Sequence, residues 1–80
     1  MSEAPVINMT ATGANIKALV RSKGLTVAKL QAMYGFNTPQ SIFKWMRGDM
    51  MPSIDNLVML AYILDTPIDK IIITNKNPVS

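Results

Sequence analysis

The chain has no cysteine and no histidine among its 80 residues. Without cysteine, disulfides and thiolate metal sites are excluded. Without histidine, the commonest general base and the commonest metal ligand are gone. Acids are scarce too: Glu3, Asp49, Asp55, Asp65 and Asp69 are the full set, and no two are spaced as an acid/base pair. Catalysis, a metal and a cofactor are therefore not expected. Long apolar runs are missing as well. Leu57 to Leu64 is unbroken, but it falls far short of the roughly 20 residues a bilayer requires. The N-terminal stretch has no basic region followed by an apolar core and a cleavage site. The expectation is a soluble cytoplasmic protein with no membrane partner, and no small-molecule ligand is inferred.

What is present is unevenly placed. Residues 1–48 carry Lys17, Arg21, Lys23, Lys29, Lys44 and Arg47 against the single acid Glu3, whereas residues 49–80 carry Lys70 and Lys76 against four aspartates. A basic half beside an acidic half points to a polyanion partner on one side. At this length the chain makes one domain that buries only about 60–65 % of its unfolded surface, so its core must be efficient or shared.

Helix punctuation recurs along the chain. Residues 1–9 read as a flexible lead-in, in which Val6 and Ile7 can add a short strand. Thr10 or Thr12 is the expected cap of a first helix, with Ile16, Leu19, Val20 and Lys23 on its inner stripe and Gly24 as its stop. Lys17 and Arg21 share its outer face. Thr26 caps a second helix with Val27, Leu30 and Met33 or Tyr34 inward, ending at Gly35. Thr38 and Pro39 open a third that stops at Gly48. Pro52-Ser53 starts a fourth over 53–65, with Leu57, Leu60, Ala61 and Leu64 inside. Thr66-Pro67 starts a fifth, with Asp69 near its positive end and Ile68, Ile71 and Ile72 inward. Met33 and Met46 read as core filler. Residues 75–80 read as a flexible tail, which leaves a compact all-α, five-helix domain over 10–74.

The third helix, 38–47, carries the functional signal. At about 100° per residue, Ile42, Trp45 and Met46 converge on one face. Gln40, Phe43, Lys44 and Arg47 take the opposite face, with Ser41 at its edge. An amide can bond adenine's edge, cations suit guanine or phosphate, and a ring can pack on a thymine methyl. A solvated amphipathic helix would account for the polar residues but not for an outward Phe43.

The stretch "LTVAKLQAMYGFNTPQSIFKWMRGDMMPSIDNLVMLAYILDTPIDKII" resembles the helix-turn-helix of the phage-repressor (Cro/Xre-type) family. The marks are Gly24-Leu25-Thr26, Leu30, Gly35, Ile42, Trp45, Gly48, Pro52 and the Leu57, Leu60-Ala61 pattern, and the likeness spans roughly residues 13–73. It implies a lambda-repressor-like fold whose third helix lies in the major groove while the second crosses the backbone. It also implies double-stranded DNA as partner, with sequence-specific binding in transcriptional regulation of the repressor type. On it Gln40, Ser41 and Lys44 fall on base-reading positions, and Thr38, Arg47 and Ser53 on phosphate contacts; the outward Phe43 is read as joining the first set, and Thr26 and Lys29 of helix two the second. The chain departs from the family's pattern in four ways. The turn after Gly35 is one residue longer, Val27 stands where glutamine is frequent, and Gln31 replaces a small residue. Val20 and Met46 together occupy the places of an arginine and a glutamate, so neither charge is stranded.

Helix four is apolar nearly all round, which in a small domain points to a shared surface. Val58, Met59, Tyr62, Ile63 and Ile73 are the candidates for a homodimer interface. The rival reading is a protein-interaction module on the same fold, an antitoxin-like or adaptor subunit, using Phe43, Met50, Met51 and helix four.

Overall fold

A computed structural model describes the backbone of residues 3–78 and the side chains of residues 4–75. The elements run β1 (Glu3–Ile7), α1 (Met9–Ser22), α2 (Val27–Tyr34), α3 (Gln40–Arg47), α4 (Ile54–Leu64), α5 (Ile68–Ile71) and β2 (Thr74–Pro78). Five helices surround one core of Ile16, Val20, Leu30, Ile42, Trp45, Leu57, Leu60, Leu64 and Ile71. The inner stripes expected from periodicity supply all nine of these side chains.

The caps explain where most helices begin and end. Thr26 Oγ1 accepts from the Lys29 N–H at 3.1 Å and Ser53 Oγ from the Asn56 N–H at 3.2 Å, each satisfying a donor that the first turn cannot. Gly35 and Gly48 close α2 and α3 in the left-handed region. Helix α3 opens at Gln40, later than Thr38 and Pro39 suggest, because Pro39 accepts the first intrahelical bond from Phe43 N and no side chain caps the turn.

Two expectations for the start of α1 are corrected. Neither Thr10 nor Thr12 caps it; Asn8 does, its Oδ1 accepting from Ala11 N–H at 2.9 Å. Thr12 is fully buried, and its hydroxyl accepts from the Ile73 N–H at 2.9 Å and donates to the Ile73 carbonyl at 3.3 Å. The stretches read as a lead-in, 1–9, and a tail, 75–80, each contribute a strand where they are described; residues 1, 2, 79 and 80 lie outside the described ones. Glu3–Ile7 pairs antiparallel with Thr74–Pro78, Glu3 opposite Pro78 and Ile7 opposite Thr74. The Asn8 N–H donates to Ile73 O at 2.8 Å at the base of this ribbon. One strand of the pair, Thr74-Asn-Lys-Asn-Pro, is poor in strand-forming residues, so only its distant partner gives it away.

Met33 is exposed rather than core filler, because Tyr34 takes the inward place at the end of α2. The tyrosine ring stacks on Phe36, centroids 4.9 Å apart, and packs edge-to-face with Trp45 at 5.5 Å. Its hydroxyl donates to the Asn56 carbonyl at 2.6 Å, tying α2 to α4. Burial pushes the phenol from 10.0 up to about 12. Tyr34→Phe should cost about 1 kcal/mol at neutral pH through the lost bond. The unfolded chain releases this proton near pH 10 and the folded chain near pH 12. The tyrosine's contribution is therefore whole below pH 10 and falls as pH climbs to about 12. Urea midpoints of the two proteins should keep a constant gap well below pH 10 and draw together as pH rises through it, the order reversing where the loss exceeds the bond's contribution. A lead of the tyrosine protein that grows there contradicts the assignment.

Candidate nucleic-acid interface

Helix α3 is held by its inner face. Ile42 is fully buried and Trp45 nearly so, while Met46 is half-buried against the same core. The backbone of α3 also sits unusually close to α1. A Cβ built on Gly13 would lie 2.5 Å from Trp45 O and 2.6 Å from Met46 O, and one on Gly48 would lie 2.8 Å from Met9 O. Two glycines thus let the start of α1 press on the end of α3 and set its angle.

This anchoring leaves the other face free. Gln40, Ser41, Phe43, Lys44 and Arg47 are all exposed, and Phe43 keeps 42 % of its surface in solvent. Thr38, Gln40, Phe43, Lys44 and Arg47 line one cleft with Pro39. Ser41 is exposed beside them but does not line it. The first turn of α3, lacking a side-chain cap, presents N–H groups and the positive end of the helix dipole to that cleft. These groups favour a phosphate.

The remaining phosphate candidates lie apart. Thr26 lines a second concavity that shares Phe43 and Arg47 with the first, whereas Lys29 and Ser53 are exposed on α2 and before α4. The Thr26 and Ser53 hydroxyls each accept a capping bond and still hold a proton to donate. Arg47 Nε donates to Asp49 Oδ2 at 2.8 Å in an exposed pair, an association that competes weakly with phosphate. Of the expected four departures, two acquire a physical description. Gln31 turns its amide across the turn to donate to Phe36 O at 3.2 Å, and Val20 and Met46 line the second concavity as apolar surface.

A helix-turn-helix family model of the Cro/C1 type matches residues 16–71. The chain belongs to this family. Sequence-specific DNA binding in transcription regulation is the function that goes with it. Two solved structures share the fold: the DNA-binding domain of BldD from S. venezulae and a second crystal structure of the BldD DNA-binding domain. Each has a TM-score of 0.68 and 18% identity over 81% of this chain, covering 96% and 93% of the BldD chains. No curated protein sequence matches.

Periodicity finds the exposed face of α3 and the caps of α2 and α4. It misses Gly13, Thr12, Asn15 and Phe36, which shape the site from behind. The Asn15 amide donates to the Lys70 and Ile71 carbonyls at 2.8 and 2.9 Å, closing the end of α5. A glycine within a helical pattern is the one available signal for Gly13, and it does not name the partner backbone.

Proposed function

We propose that this helix-turn-helix protein is a repressor-type regulator that inserts α3 into the major groove of double-stranded DNA. Gln40, Ser41, Phe43 and Lys44 read base edges, and Thr26, Lys29, Thr38, Arg47 and Ser53 hold phosphates. The observation that carries this is the outward Phe43 among exposed donors, on a helix whose opposite face is locked by Ile42 and Trp45. The protein acts in the cytoplasm by binding, without catalysis. Among the described residues no helix is long and apolar enough to cross a membrane.

Binding is as a homodimer. Ile54, Val58 and Tyr62 recur every fourth residue of α4 and are 77 %, 55 % and 86 % exposed, an apolar stripe that a two-fold partner would cover. Of the other candidates, Met59, Ile63 and Ile73 are half-buried and would contribute at its margin. One module covers only about 600–1,000 Å² of DNA, and two half-sites about one helical turn apart double the contact.

Gln40→Ala should cost about 1–3 kcal/mol on the preferred site and relax choice at one base pair. Arg47→Ala should weaken specific and random duplexes alike and reduce the salt slope, about −3 to −4 per protomer in the intact protein with Lys29, Lys44, Arg47 and Arg21 or Lys23 at phosphates. Selection from a random duplex pool, repeated with each variant, reads both effects, and a palindromic consensus reports the dimer. Equal losses on selected and random DNA after Gln40→Ala refute its reading role. Affinity independent of salt would favour the protein-interaction alternative.

A further inference from the structure

The second concavity, between α1, the start of α2 and the end of α3, has an apolar floor and a basic rim. Val20, Leu25, Val27 and Met46 form the floor, buried or half-buried. Lys17, Arg21 and Arg47 stand exposed around it. Among the described residues no aspartate or glutamate lines it, although Asp49 pairs with Arg47 from beyond its lining. Its volume is about 570 Å³, within the roughly 300–1,000 Å³ typical of small-molecule sites.

A phosphate backbone has use for the three cations but none for four aliphatic side chains behind them. A molecule with an apolar body and one negative head satisfies both. We propose that this concavity binds a small amphipathic carboxylate, its hydrocarbon on Val20, Leu25, Val27 and Met46 and its carboxylate among Lys17, Arg21 and Arg47. Phe43 and Arg47 line both this site and the cleft along α3, so the carboxylate and DNA exclude one another. That second step rests on the DNA-reading role assigned to α3; the binding itself does not. By linkage, the ligand weakens DNA affinity by the same factor as DNA weakens ligand affinity.

The test uses the whole protein with sodium octanoate, and with octylammonium and acetate as probes of tail and head alone. Methyl signals in an NMR titration without DNA are read first. Octanoate should saturate and move the methyls of Val20, Leu25, Val27 and Met46, while neither control does. Lys17→Glu and Arg21→Glu, both at exposed positions that leave the core intact, should each weaken octanoate at least about fivefold at low salt. Equal binding of octylammonium, shifts scattered over the surface, or full affinity in both variants overturns the site. DNA affinity is then measured at constant ionic strength, octanoate replacing acetate. A loss that saturates with the methyl shifts supports exclusion. Undiminished DNA affinity with octanoate bound overturns exclusion. If the free protein binds no DNA, the reading of α3 fails, and the methyl titration still decides the site.

Discussion

Gly13→Ala is expected to destabilise the protein by about 3 kcal/mol, at the upper end of what one inserted methyl costs in a packed interior. Helix propensity alone argues the reverse, since alanine inside an exposed helix gains about 1 kcal/mol over glycine. Packing decides the sign here. The new methyl would meet Trp45 O at 2.5 Å, Met46 O at 2.6 Å and Gly48 N at 2.9 Å. All three are backbone atoms, so no rotamer change relieves them. Helix α1 would have to lift from α3 by about 1 Å, opening the core at Ile16 and Trp45. Against a total stability of about 4–12 kcal/mol for a chain of this size, the loss is large. Urea unfolding followed by circular dichroism measures it. Ala14→Gly, the opposite exchange at the next position, which is exposed, is the control in which propensity acts alone. It should lose only about 1 kcal/mol. Should Gly13→Ala instead gain what that control loses, the close approach of the two helices is not what orients α3.

Trp45→Ala should cost about 3–5 kcal/mol, the range for removing a large buried ring. Trp45 is 3 % exposed and packs edge-to-face with two other aromatics, Tyr34 at 5.5 Å and Phe36 at 6.0 Å. Truncation therefore leaves a cavity bordered by rings that lose a partner, in addition to the lost burial. Trp45→Phe keeps a ring in the site and should lose distinctly less. Because this is the protein's one tryptophan, ellipticity rather than fluorescence must report unfolding. DNA affinity of the alanine variant should fall with its folded fraction while base preference in that fraction persists. A folded variant with altered base preference would instead place Trp45 in contact with DNA.

The division between legible and hidden features follows the range of the interactions. As caps and stops, Thr26, Ser53, Gly35 and Gly48 bond within three or four residues of themselves, so local pattern is enough to place them at helix ends, though it does not show the contact of Gly48 with Met9. Ile42 and Trp45 are legible as inward because a helix repeats its environment every turn. Pro39 shows the limit of that reasoning. The Thr38-Pro39 pair is a start signal, but the first bond that Pro39 accepts sets the helix opening at Gln40. Features that depend on distant partners stay out of reach. Thr12 reads as a cap because its partner, Ile73, lies 61 residues away. Asn15 answers carbonyls 55 and 56 residues on. Met33 and Tyr34 are interchangeable by spacing, and only the aromatic company of Phe36 and Trp45 chooses between them. The basic pair on the outside of α1 is visible in the sequence, but its neighbourhood with Arg47 requires the α1–α3 contact that Gly13 permits.

The ribbon has a practical corollary. With Glu3 across from Pro78, the polypeptide enters and leaves its fold through the same doorway, about 5 Å wide. Moving a reporter dye or a fused tag from one side of that doorway to the other therefore hardly relocates it.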